Sequence, residues 1–92
     1  MDNYTIKNYL EKNKMSTRVC LTCDRGEIQI PVTNIMMTIA SVASLLARKH
    51  IVTYRENISN ITIYYNNEWI DPNLQLYHLV QNRRIDLSYS YN

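Results

Sequence analysis

Residues 17–50 read TRVCLTCDRGEIQIPVTNIMMTIASVASLLARKH, and within them the hydrophobic period changes once. From Thr17 to Val32 it is two. Val19, Leu21 and Cys23 share one face of a strand, and Ile28, Ile30 and Val32 share one face of the next. Asp24-Arg25-Gly26-Glu27 lies between them and holds the single glycine of the chain, the residue that supplies positive φ to a tight turn. Pro31 has no N–H to give a ladder and belongs at a strand edge or end. From Thr33 to His50 the period is helical: Ile35, Ile39, Val42 and Leu46 recur at i, i+4, i+7 and i+11, with Met36 and Ala43 alongside. Thr33/Asn34 or Thr38 is a candidate cap, and Arg48, Lys49 and His50 suit the negative C-terminal end. A hairpin followed by a buried helix sets the class as α+β.

Working outward, a loop is expected over 53–60. Ile61-Thr-Ile63-Tyr-Tyr65 then alternates as a strand, Asn66-Asn67 is a turn signal, and Glu68-Trp69-Ile70 is a short return strand stopped by Asp71-Pro72-Asn73. Leu74, Leu76, Leu79 and Val80 suit a short turn of helix. Arg83-Arg84 is a connector, and Ile85-Asp-Leu87-Ser-Tyr89 alternates towards the C-terminus. Upstream, residues 1–16 are polar with Ile6, Tyr9 and Leu10 at helical spacing, which fits a leader or one short amphipathic helix. The expected organisation is thus a leader over 1–16 and one domain over 17–92.

Ninety-two residues with 46% hydrophobic side chains suffice for one small core without disulfide or metal. No run approaches the ~20 apolar residues of a bilayer span, and the N-terminus lacks a secretory pattern, so an intracellular location is expected. The net charge of +2 is carried by scattered basic residues rather than a stripe, which makes nucleic acid an unlikely partner on composition. The bias towards Asn, Ile and Tyr is what an AT-rich coding sequence gives, and it hints at a viral or parasite source.

The order hairpin, helix, strand, short hairpin, short helix, strand resembles the ubiquitin superfold, or β-grasp. Thr38-Ile39-Ala-Ser-Val42-Ala-Ser-Leu45-Leu46 looks like the start of the ubiquitin helix. Ile70-Asp71-Pro72-Asn73-Leu74-Gln75-Leu76 resembles the run after its short strand, and Ile85-Asp-Leu87-Ser-Tyr89 resembles its closing strand. Within that superfold, Tyr65-Asn-Asn-Glu68-Trp-Ile70-Asp71 followed by Leu76-Tyr-His-Leu79-Val80 is similar to the RAWUL domain of Polycomb RING-finger proteins, as is Leu45-Leu46-Ala-Arg48-Lys49 at the helix end. The RING finger of that family is absent. The resemblance implies a mixed four- to five-stranded sheet with one main helix across one face. It also implies a non-catalytic protein–protein interaction module, possible as a subunit of a transcriptional or ubiquitin-pathway complex.

Two departures from ubiquitin refine that expectation. Conjugated modifiers end in Gly-Gly, whereas this sequence ends Ser88-Tyr89-Ser90-Tyr91-Asn92, so conjugation is not expected. The strand positions of ubiquitin's receptor-binding Ile/Val/Leu patch become Tyr64 and Ser88, with Asp86 nearby, which points to a partner other than a ubiquitin receptor. The candidate partner-binding residues are Arg18, Tyr64, Trp69, Asp86, Ser88 and Tyr91, tyrosine and tryptophan being enriched at interfaces. Trp69, beside a turn and ahead of Pro72, is expected to be partly buried at the sheet edge. Tyr89 is expected to point inward and Tyr91 to be free.

No catalytic, metal or cofactor site is expected. Cys20-Leu-Thr-Cys23 is a lone CxxC with no second pair for zinc, and its thiols diverge if it lies on a strand; Cys23 then reads as a small core residue. His50 reads as a helix cap and His78 as exposed. Three other functions fit parts of the sequence. A compact viral protein could block a host factor by surface mimicry. An elongin-C/BTB-like ubiquitin-ligase adaptor shares the opening Arg18–Ile28 hairpin but needs a helical second half. The Tyr-rich sheet also leaves a homodimer open.

Overall fold

The computed structural model describes residues 16–92. The element order is β1 (Thr17–Cys23), β2 (Gly26–Val32), α1 (Ile39–Tyr54), β3 (Ile61–Tyr65), β4 (Glu68–Trp69), a 3-10 turn (Leu76–His78) and β5 (Arg84–Tyr91). The strands form one five-stranded sheet in the order β2-β1-β5-β3-β4. Only the β1–β5 pairing is parallel, so the first and last strands lie side by side at the sheet's centre and α1 crosses one face. This is the expected α+β, β-grasp arrangement. The reading of residues 1–16 as a leader or helix falls, but for Ser16, outside the described residues.

Alternation decides the two sides of the sheet. Val19 and Leu21 (β1), Ile28, Ile30 and Val32 (β2), Ile63 (β3), and Ile85, Leu87 and Tyr89 (β5) point to the helix and are buried. They meet Ile39, Val42 and Leu46 of α1, with Ile70 and Leu76 closing the end of the core. Gly26 has φ of 138°, and a Cβ there would lie 3.1 Å from the Tyr54 hydroxyl, so both its backbone and its close approach to α1 call for glycine.

The helix begins six residues after the start of the helical period at Thr33, which selects Thr38 over Thr33/Asn34 as its cap, and it ends four residues beyond His50. Thr38 is the N-cap: its Oγ1 accepts from the Ser41 N–H at 3.3 Å. Ile35 and Met36 lie outside the helix because backbone bonds draw that segment onto the chain after β4. Tyr77 N–H donates to the Ile35 carbonyl, Leu76 N–H to Met37, and Ile39 N–H to Leu74, each at 2.9 Å. At the other end the helix runs on to Tyr54, and Arg55 terminates it in the left-handed region at φ 52°. The loop therefore begins at Arg55, not Thr53.

Two further turns rest on positive φ. Asn66 (52°) and Asn67 (67°) join β3 to β4, the type I′ geometry that asparagine tolerates. Asn82 (53°) and Arg83 (60°) repeat it between Gln81 and Arg84, whose backbones exchange two 3.0 Å hydrogen bonds. For Arg83 this conformation costs about 1–2 kcal/mol.

The sheet has two unlike edges. In β2, Pro31 lacks an N–H, so the Arg18–Pro31 pair cannot be a hydrogen-bonded one, and the backbone groups of Glu27 and Gln29 face outward. Lys49 of α1 covers part of that edge by donating from Nζ to the Gln29 carbonyl at 2.6 Å. The opposite edge, β4, is two residues long.

Candidate interaction surface

The face of the sheet away from α1 has no element packed on it among the described residues. Side chains there run in rows set by the register. One row reads Glu27, Thr22, Ser88, Tyr64, Trp69 across all five strands; the next reads Gln29, Cys20, Asp86; a third reads Pro31, Arg18, Arg84. Five of the six candidate residues, Arg18, Tyr64, Trp69, Asp86 and Ser88, therefore share this open face.

Trp69 is 64% exposed, which corrects the expectation of partial burial. β4 is the outermost strand, and among the described residues no segment crosses its outer side to cover the indole. Its partner across the hairpin is Tyr64, whose hydroxyl lies 3.4 Å from Ser90 Oγ. A two-residue turn makes the adjoining Tyr65–Glu68 pair the hydrogen-bonded one, so Tyr64 and Trp69 form the closer, non-hydrogen-bonded type of pair. Asp86 accepts from Arg84 Nε at 2.8 Å. Hydrogen bonding to Asp86 is the main cause that raises the Arg84 pKa.

Tyr91 is the exception. With Ile85, Leu87 and Tyr89 it follows the helix-facing alternation, its hydroxyl donates to Asp24 Oδ1 at 3.0 Å, and its ring meets His50 edge-on at 4.4 Å. It is not free, because an odd-numbered residue of β5 cannot reach the open face. The cysteines diverge as expected, with Cys23 packed against the core. Cys20, on the open face between Gln29 and Asp86, is buried, and burial pushes its thiol pKa up. Cys23 is half-buried, and its Sγ accepts the Arg25 N–H at 3.3 Å. His78 is exposed, as expected.

The largest departure is His50. It is fully buried on α1 rather than capping it, and both ring nitrogens are bonded: Nδ1 to the Tyr89 hydroxyl at 2.7 Å and Nε2 to Glu56 Oε1 at 3.0 Å. A carboxylate only accepts, so Nε2 carries a proton, and in the neutral imidazole Nδ1 then accepts from the Tyr89 hydroxyl. Arg25 continues the chain to Glu56 at 3.7 Å, and its guanidinium carbon lies 5.5 Å from the Tyr54 ring centroid. This carboxylate–imidazole–hydroxyl line has the order of a catalytic triad, but Tyr89 is buried and desolvation, aided by the neighbouring Cys23, drives its hydroxyl pKa upward. A hydroxyl held protonated is a structural donor, not a nucleophile.

These groups imply a pH response. The His50 bond is the main cause lowering the Glu56 pKa. Its stabilisation is present above the unfolded-state pKa and is lost as pH falls through the folded one. Tyr89 and Tyr91 are both raised, by desolvation first, so the unfolded chain ionises before them and stability falls above about pH 10. Denaturant midpoints measured across pH should fall at both ends; Glu56→Gln should flatten the acid limb and, because Glu56 also helps raise Tyr91, soften the alkaline one.

No family model matches the sequence, and no curated protein matches it. Solved structures do match in fold. A ubiquitin-like protein from Trypanosoma brucei has a TM-score of 0.60 at 14% identity, covering 84% of this chain and 93% of that one. ATG8 of Trypanosoma brucei has a TM-score of 0.58 at 13% identity, covering 97% and 84%. A structure described as molecular mimicry of SUMO that promotes DNA repair has a TM-score of 0.57 at 14% identity, covering 82% and 90%. The chain has the ubiquitin-like β-grasp fold. Among the described residues no helix is long and apolar enough to cross a membrane.

Proposed function

We propose that this chain is a non-catalytic, ubiquitin-like interaction module that docks a partner protein on its open sheet face. The observation that carries the reading is Trp69, held 64% exposed on β4 beside Tyr64, its partner across the Asn66-Asn67 turn. A large indole kept in water is a cost to the isolated domain, and burial of tryptophan and tyrosine dominates interface energetics. Arg18, Asp86 and Ser88 supply polar groups around this pair. The run resembling RAWUL domains, which includes Trp69, supports a role as a subunit of a regulatory assembly. The adaptor alternative needs a helical second half, where β3, β4 and β5 stand instead.

Mimicry is the second reading, favoured by the similarity to a structure itself described as mimicking SUMO. It shares the same surface and differs in whose partner is occupied.

Trp69 is the only tryptophan of the chain, so its fluorescence reports the site directly. With a partner obtained by affinity capture, binding should shift the emission to the blue. Trp69→Ala and Tyr64→Ala should each weaken binding at least ~30-fold, a loss of about 2 kcal/mol or more, while changing stability by no more than about 0.5 kcal/mol. Unchanged affinity in both variants would place the site elsewhere.

A further inference from the structure

At the end of the open face away from Trp69, three arginines meet. Arg18 of β1 and Arg84 of β5 are direct partners in the parallel register and point to the same side. Arg83 precedes them in the turn at φ 60°. Together with Ser16 and Asn82 they line an open cleft of about 330 Å³. Asp86 engages Arg84 through Nε alone. Among the described residues, neither Arg18 nor Arg83 has a carboxylate within ion-pair distance.

Each feature of this corner is unfavourable in the empty protein. Like charges placed opposite each other on neighbouring strands repel, and Arg83 occupies a conformation that glycine would adopt without strain. The walls present guanidinium, hydroxyl and amide groups, nearly all of them donors, under one sign of charge. Such a lining repels cations and offers nothing to an apolar group. It suits an oxyanion, and the planar forks of several arginines match tetrahedral phosphoryl oxygens.

We infer that this corner binds a phosphomonoester carried by the protein that docks on the sheet face. The inference rests on the docking reading above and adds the chemistry of the partner. A nucleic-acid strand is disfavoured because, among the described residues of this face, the adjoining rows bring Asp86, then Glu27, under any longer polyanion. Ser88 is four residues along β5 from Arg84, and Trp69 lies two strands further across. Those offsets separate the cleft from Trp69 by about 16 Å, the length of some five extended residues. The partner segment therefore carries its phosphate about five residues from the side chain that covers Trp69.

The test uses the full chain and inorganic phosphate as the probe, at constant ionic strength, read by NMR of the arginine Nε–H groups. Saturable shifts at Arg18, Arg83 and Arg84 are expected. Arg83→Gly and Arg18→Gln should each weaken binding at least tenfold, whereas Arg48→Gln on the far side of α1 should leave it unchanged. Arg83→Gly separates the role from folding, since it relaxes the turn and should raise the melting temperature while phosphate binding falls. The absence of saturable shifts, or shifts insensitive to both substitutions, would overturn the inference. So would a single-stranded oligonucleotide that binds more tightly than phosphate and needs Arg48. Phosphate binding should survive Trp69→Ala. Failure of the corner with partner binding intact removes this inference alone; phosphate binding without Trp69-dependent docking removes the docking reading and leaves an anion site.

Discussion

His50→Ala should lower the unfolding free energy by about 3–4 kcal/mol and the melting temperature by at least about 12 °C. The substitution acts twice. It opens a cavity where a fully buried imidazole touched three tyrosine rings, Tyr54 at 4.8 Å, Tyr89 at 5.7 Å and Tyr91 at 4.4 Å between centroids. It also leaves the buried Tyr89 hydroxyl without its acceptor and Glu56 without its donor. A partner removed from a buried hydrogen bond costs more than the bond itself contributes. His50→Leu refills much of the space and repairs neither polar group, so it should remain clearly destabilised. Tyr89→Phe made together with His50→Ala removes the stranded hydroxyl. The double variant should therefore be less destabilised than the sum of the singles, by about 0.5–3 kcal/mol. Thermal and urea unfolding of the four proteins gives the result; strict additivity would mean that the bond carries no energy of its own.

Leu76→Ala should cost about 2–5 kcal/mol, as much as a leucine taken from the main helix, although Leu76 sits in a three-residue 3-10 turn. It is fully buried, and its N–H donates to Met37. The side chain thus anchors the strip of backbone bonds that ties the segment after β4 to the start of α1. Loss of the anchor should be felt locally as well as globally. Amide exchange at Ile39, Ala40, Leu76 and Tyr77, all donors in that strip, should accelerate more than exchange at the centre of β1. Uniform acceleration would show the strip opening only with the whole fold.

Much of the fold was legible because it is local. The alternation over 17–32, the single glycine, Asn66-Asn67 and the stripe Ile39, Val42, Leu46 each specify an element without outside help. What the sequence hid was set by distant pairings. Ile35 and Met36 carry helical spacing yet sit in a turn, with their carbonyls bonded by Tyr77 and Gln75 about forty positions later. Arg84 looked like part of a connector until the parallel register put it beside Arg18. Tyr91 looked free because Asp24, its partner, is at the other end of the chain. His50 did leave a signal: it continues the stripe Ile39, Val42, Leu46 by one more step of four, the position of a core residue. Its polarity, read as a cap, outweighed its position. For the candidate face, the alternation correctly grouped Arg18, Tyr64, Asp86 and Ser88. The exposure of Trp69 depends on its place on the outermost strand of the sheet, which periodicity does not encode.

The unlike edges of the sheet bear on what crowding does to this protein. Growth of a filament by strand stacking needs the β2 edge of one copy against the β4 edge of the next, a head-to-tail contact that repeats without closing. Here one end of that contact offers two residues of strand, too few to hold a register. The other carries a proline and a carbonyl already engaged by a lysine. Open-ended assembly is thereby checked at both its donor and its acceptor surfaces. Pairing of β2 with its own copy about a two-fold axis closes after a single step, so self-association through this sheet has a natural stopping point at the dimer.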